Sequence, residues 1–247
     1  MEYTDLTFED LGKGYKVCIS TEHRFGTDAF LLADFARPRH KDTVCDLCTG
    51  CGIIAMIMRR NFQPKKIYAV ELQQKAYDQL RLSIEKSGAD ENTFAVLGDL
   101  KEWKSSEPID VITCNPPYKI SGTGAKNNSH AVSIARHEIE CTVDDVCAAA
   151  AKNLRFGGRL CICNRPERLS DIITAMRANG IEPKRLRTVH KNPDCAPWLI
   201  LVEGHKGGNN FIQIEKPLYV RSSDGGISEE MQRIYTAQID KQGDQRK

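Results

Sequence analysis

From residue 43 onward the chain alternates short apolar runs with longer segments of helical periodicity, and that alternation restricts the fold more than any other feature. The runs TVCDLC at 43–48, KIYAVEL at 66–72, FAVLG at 94–98, IDVITC at 109–114 and RLCICN at 159–164 read as strands. Helical patterns follow several of them. IIAMIMRRN follows the first, and Ala76, Leu80 and Ile84 form one stripe over about 73–86. A third helix is expected over about 141–154, with Thr142 as N-cap, Asp144 and Asp145 in its first turn, and Gly157 and Gly158 ending it. A fourth covers about 167–179 and ends at Gly180. Strands joined through helices make a largely parallel sheet covered on both faces. The last two runs, RLRTVH and WLILVEGH, are joined only by KNPDCAP, a connection short enough for a hairpin but not for a crossover. The expectation is therefore an α/β fold with a seven-stranded, mostly parallel sheet, one antiparallel strand, and helices on both faces.

Composition sets the outer limits. At 247 residues, 40% hydrophobic and 28% charged, the chain can bury a sizeable core without staples. A net charge of +2 allows a local basic patch but does not by itself argue for a polyanionic partner. No apolar run approaches the roughly 18 residues of a membrane span, and MEYTDLTFED has no secretory h-region. A soluble, cytoplasmic protein is expected, with its ten cysteines as free thiols used mostly for packing. The main domain is expected over 43–237. Residues 1–42 read as an extension docked on it, with strand character in TFED and YKVCIS and a helix near Asp28–Phe35. KISGTGAKNNSHAVSIA at 119–135 reads as a loop over a site, and 238–247 as a frayed tail.

VCDLCTGCGII at 44–54 poses a choice between a thiol-lined metal cradle and a glycine loop for a nucleotide-like ligand. Cys45 lies inside a strand beside Asp46, so their side chains should point to opposite faces. No nearby cysteine completes a cluster, and no metal is expected. Open α/β sheets bind ligands beyond the carboxyl ends of their strands. Four landmarks fall there: the glycine loop, Glu71, Asp99, and NPPY at 115–118. Gly50 and Gly52 allow tight turns and close backbone approach. Glu71 can accept both hydroxyls of a ribose, and Asp99 the amino group of an adenine. Asp46 suits a sulfonium or ammonium group better than a pyrophosphate, and the glycine spacing departs from G-x-G-x-x-G. An adenosine carrying a sulfonium amino acid fits these landmarks better than a dinucleotide.

Asn115-Pro116-Pro117-Tyr118 carries the chemistry. Pro116 holds Asn115 extended, and neither proline can donate a backbone hydrogen bond. The Asn115 side-chain oxygen and the Pro116 carbonyl can then both accept from a planar NH2 group, while Tyr118 offers a stacking face. Two acceptors on its hydrogens favour a pyramidal nitrogen and aim its lone pair, so positioning rather than a strong base promotes methyl transfer.

With these residues in view, the chain resembles class I S-adenosylmethionine-dependent methyltransferases with a Rossmann-like fold, and among them the N6-adenine branch. DLCTGCG resembles that family's D-x-G-x-G-x-G loop, with Cys48 at the first glycine. RFGTDAFLLADF, IARHEI, NRPERL and KRLRTVH are similar to the bacterial tRNA1(Val) (adenine-N6)-methyltransferase group. The resemblance implies S-adenosylmethionine held by Thr27, Asp28, Asp46, Cys48, Thr49, Gly50, Gly52, Glu71, Leu72, Asp99, Leu100 and Asn115. It implies catalysis by Asn115, Pro116, Pro117 and Tyr118, and substrate contacts at Tyr118, Arg136, His137, Arg165 and Lys191. Its target would be an adenine of the tRNA anticodon loop. A glutamine amide of a protein such as a release factor, or an adenine of rRNA or DNA, presents the same NH2 chemistry. The basic residues Arg168, Lys184, Arg185, Arg187 and His190 are further candidates for phosphate contacts. The oligomeric state stays open, with a monomer expected.

Overall fold

The computed structural model describes residues 5–116 and 141–236. Before the main sheet come a hairpin, β1 (Thr7–Gly12) and β2 (Tyr15–Ile19), and a helix, α1 (Thr27–Ala36). The alternating region follows as β3 (Thr43–Leu47), α2 (Ile53–Phe62), β4 (Lys66–Glu71), α3 (Gln74–Lys86), β5 (Thr93–Leu97) and β6 (Ile109–Cys114). After it come α4 (Val143–Asn153), β7 (Leu154–Asn164), α5 (Leu169–Ala178), β8 (Ile181–His190) and β9 (Pro197–Lys206). The C-terminal part adds β10 (Gln213–Ile214), β11 (Leu218–Tyr219) and α6 (Glu229–Thr236). Among the described residues no helix is long and apolar enough to cross a membrane.

The main sheet runs β8-β9-β7-β6-β3-β4-β5, with β10 and β11 both added beside β8. All pairings from β7 through β5 are parallel, and β9 alone runs antiparallel to both its neighbours, β7 and β8. The short loop after His190 forces this reversal, as the sequence requires. Among the described residues the sheet has nine strands rather than seven, because two-residue segments pair parallel to β8 at Arg185 and at Val189. Segments that short carry no periodicity to read.

Side-chain alternation divides the core. On β7, Cys161 and Cys163 join the face covered by α1, α2, α3 and α6, while Leu160 and Ile162 face α4 and α5. Thr142 does cap α4, its Oγ1 accepting the Asp145 N–H and the Asp145 carboxylate returning to the Thr142 N–H. Gly157 and Gly158 do not end that helix. They lie inside β7, where the register against β6 shifts between Ile109 and Val111. A Cβ on Gly158 would come within 3.0 Å of the Ile109 carbonyl oxygen, so the close strand approach excludes a side chain there.

The chain leaves β3 in one direction to build β4 and β5, then returns to its other side with β6. That reversal opens a crevice at the carboxyl ends of β3 and β6.

Candidate active site

A cleft of about 200 Å3 opens there, lined by Cys48, Gly50, Glu71, Leu72, Asp99, Leu100 and Asn115, and also by Val70, Gln73, Gly98 and Cys141. It brings the ends of β3, β4, β5 and β6 together. Seven residues picked from the sequence thus share one cleft. Pro116 follows Asn115 directly. Pro117, Tyr118, Arg136, His137 and the 119–135 segment lie outside the described residues.

Glu71 organises the floor. Its Oε2 accepts the Gly50 N–H at 2.8 Å and its Oε1 accepts the Gln73 N–H at 2.9 Å. A carboxylate oxygen has two lone pairs and can accept more than one hydrogen bond. Gly50 has φ +60 and borders the cleft, the combination for which a glycine is needed. Gly52 has another reason. A Cβ there would lie 2.4 Å from Leu80 Cδ1, so this glycine lets α2 pack on α3 instead of bordering the cleft. Leu72 and Leu100 add apolar surface to the cleft that Asp99 also lines. The Asp99 carboxylate accepts the Lys101 N–H at 2.9 Å and lies 3.5 Å from the Lys101 ammonium.

The three cysteines of the loop diverge. Cys45 packs among α4 and α5, Cys51 packs on the opposite face, and only Cys48 reaches the cleft. Cys48 holds φ +54, the left-handed backbone that a glycine would adopt without strain. Its Sγ lies 3.9 Å from that of Cys141, a cleft residue that nothing in the sequence marks.

Asp46 and Thr49 support the loop from below. Asp46 is fully buried, and its two oxygens accept the hydroxyls of Thr49 at 2.6 Å and Thr113 at 2.7 Å. Burial raises its carboxyl to about 7, against the pull of those two hydroxyls and with a push from Glu71. Neither Asp46, Thr49, Thr27 nor Asp28 borders the cleft. Asp28 stands at the N-terminal turn of α1, where its Oδ2 accepts the Asn115 Nδ2–H at 3.1 Å. From the other side the Cys163 thiol donates to Asn115 Oδ1 at 3.1 Å.

Of the basic candidates, Arg165 and Lys191 are exposed at the carboxyl ends of β7 and β8, on the same edge as Asn115. Arg165 also donates to the Trp198 carbonyl at 3.4 Å, and the remaining described candidates have partners of their own. Arg185 pairs with Glu203 and Glu215, Arg187 with Glu230, and Arg168 with Asp171. Lys184 donates to the carbonyls of Asn209 and Asn210, and His190 contacts the Cys195 carbonyl and Thr188 Oγ1. Charge counted along KRLRTVH could not distinguish a phosphate surface from these internal pairs.

The family model for the methyltransferase small domain matches residues 21–177, which holds α1, the glycine loop, Glu71, Asp99 and Asn115. The chain belongs to the methyltransferase small domain family. It is a methyltransferase, and the residues of the cleft fit S-adenosylmethionine, since the Glu71 carboxylate is of the kind that accepts ribose hydroxyls, it lines the cleft with Asp99, and Gly50 has no side chain to block the approach. Among curated relatives, the tRNA1(Val) (adenine(37)-N6)-methyltransferase of Tolumonas auensis is 28% identical over 180 residues, 72% of this chain and 75% of that one. The enzyme of the same name from Glaesserella parasuis is 29% identical over 104 residues, 42% of this chain and 44% of that one. A crystal structure of a predicted O-methyltransferase from Agrobacterium tumefaciens superposes with a TM-score of 0.69 at 16% identity. It covers 85% of this chain and 96% of its own, a likeness of fold.

Proposed function

We propose that this methyltransferase transfers a methyl group to the exocyclic N6 amine of an adenine in tRNA, at anticodon-loop position 37, the target named for its relatives. The observation that supports the reading is that Asn115, which Pro116 follows directly, lines the same cleft as Glu71 and Asp99. S-adenosylmethionine supplies an activated methyl on a positively charged sulfur. The ribose hydroxyls belong to Glu71, the adenine amino group of the cofactor to Asp99, and its ring to the apolar surface of Leu72 and Leu100.

The rest is done by this chain's own residues. Asn115 Oδ1 and the Pro116 carbonyl accept the two N–H bonds of the target amine. This fixes the amine and directs its lone pair toward the cleft. As positive charge develops on that nitrogen, the same two acceptors bind it more strongly, so they favour the transition state over the ground state. Arg165 and Lys191, exposed on the same edge, would meet phosphates, and binding should weaken as salt rises.

The test is labelled-methyl transfer to undermodified tRNA, followed by nucleoside analysis. N6-methyladenosine is the expected product. Asn115→Ala should lower kcat by about 100-fold or more while retaining cofactor affinity. Label appearing in a protein glutamine, or none in RNA, would overturn the substrate assignment, and wild-type turnover by Asn115→Ala would overturn the role of Asn115.

A further inference from the structure

We propose that Asp28 and Cys163 are positioning residues that lock the Asn115 carboxamide with its oxygen available to the substrate amine. The inference rests on the reading of Asn115 as the amine acceptor. A side-chain amide has two orientations of nearly equal shape, and only one presents an acceptor. The reverse orientation would set N–H against N–H, and the target amine would lose one of its two acceptors.

The surroundings of Asn115 decide between them. A carboxylate accepts hydrogen bonds and does not donate, so only the Nδ2 end can face Asp28 Oδ2 at 3.1 Å. The other Asp28 oxygen accepts the Ala29 N–H at 3.1 Å, which anchors the carboxylate on the first turn of α1. The fully buried Cys163 thiol donates to the Oδ1 end at 3.1 Å. Its β7 strand pairs directly with β6, and Cys163 faces the same side of the sheet as α1. Turning the amide over would put its oxygen against a carboxylate and lose a charge-assisted bond.

The lock leaves Asn115 able to act. A carbonyl oxygen has two lone pairs, so Oδ1 can accept from Cys163 and from the substrate together. The negative charge behind Nδ2 also polarises the amide toward its oxygen, which strengthens the acceptor where positive charge develops. Asp28 thus acts through Asn115, where the resemblance had placed it against the cofactor.

Four variants test the lock: Asp28→Asn, Asp28→Ala, Cys163→Ala and Cys163→Ser. Either Asp28 variant should lower kcat by about 10- to 100-fold, with cofactor Kd unchanged within about twofold. Cys163→Ala should lower kcat by about 3- to 10-fold, and Cys163→Ser, which keeps a donor, should restore it. A second readout needs no substrate. In protein carrying 15N-asparagine, the Asn115 side-chain NH2 signal, assigned by its loss in Asn115→Asp, should shift and exchange faster with solvent in Asp28→Asn. It should shift again in Cys163→Ala. An Asn115 signal unmoved in every variant would overturn the proposal, as would cofactor affinity falling in step with kcat in Asp28→Asn. If the signal responds but the wild type methylates no RNA, the lock stands and the substrate assignment fails.

Discussion

Asp46 shows how a single buried acid can be both necessary and costly. Its hydrogen bonds to Thr49 and Thr113 tie the glycine loop to β3 and β6, yet burial moves its carboxyl from 3.8 up to about 7. Between those values the folded chain holds a proton that the unfolded chain has released. Stability from this group is therefore greatest at low pH and falls as pH rises toward about 7, then levels. Asp46→Asn keeps the shape, and the threonine hydroxyls can rotate to suit it, but it cannot ionise. Relative to wild type, the variant should gain stability with rising pH, by up to about 1.4 kcal/mol per pH unit within the window. Urea unfolding of both proteins at a series of pH values measures this, and parallel stability curves would refute it. Residues of this kind were only half legible in the sequence. The strand-end positions of Glu71 and Asp99 follow from local pattern. That Asp46 lies under the loop, that Gly52 makes room for Leu80, and that Asp28 faces Asn115 all depend on neighbours brought in by other elements.

At the scale of elements, the antiparallel β9 is held by charge as well as by its ladder. Glu203 is register partner to Cys161 on β7 and Arg185 on β8. Its carboxylate lies 2.8 Å from Arg159, 2.7 Å from Arg185 and 3.1 Å from His205. Burial alone would raise its pKa, but His205, Arg159 and Arg185 outweigh that and hold it at about 2. Its contribution is therefore present above the unfolded value of 4.5 and is lost as pH falls toward about 2. Glu203→Gln should cost about 3 kcal/mol at neutral pH, because it leaves two partly buried guanidinium groups facing a neutral amide. Acid titration followed by circular dichroism should show a smaller loss between pH 4.5 and 2 in the variant than in wild type. Equal acid sensitivity would refute the assignment. The strands themselves were legible, because each of β3 through β9 carries a run long enough to show its burial. The glycine pair in β7 was not, since glycine marks a helix end and a strand bulge with the same residue. Nor did any local pattern separate WLILVEGH, with its buried acid, from an ordinary apolar strand.

Across the whole molecule, the mostly parallel sheet with its one antiparallel strand follows from the sequence, because helical crossovers impose parallel pairing and the short terminal connection imposes a hairpin. The attachment of the C-terminal helix does not follow, since its partners lie far away along the chain. In α6 only Met231 and Ile234 are fully buried, a sparse signal in a helix of eight residues. Its contacts nonetheless converge on α1 and α2. Arg233 pairs with Asp34 at 3.0 Å, and Tyr235 Oη shares a hydrogen bond of 3.1 Å with Thr27 Oγ1. The Tyr235 ring meets Phe30 edge-on at 5.1 Å, and Arg60 donates to its carbonyl. These contacts fix the helix whose next residue, Asp28, faces Asn115, and they come from outside the 21–177 family match. Replacing both Met231 and Ile234 by Ala should cost about 4 kcal/mol or more and lower the melting temperature by roughly 10 °C. The two sites are neighbours on one helix face, so the combined loss need not equal the sum of the single losses. Calorimetry of the single and double variants provides the measurement. A double variant melting within about 2 °C of wild type would show that α6 is a peripheral tail rather than a support for α1.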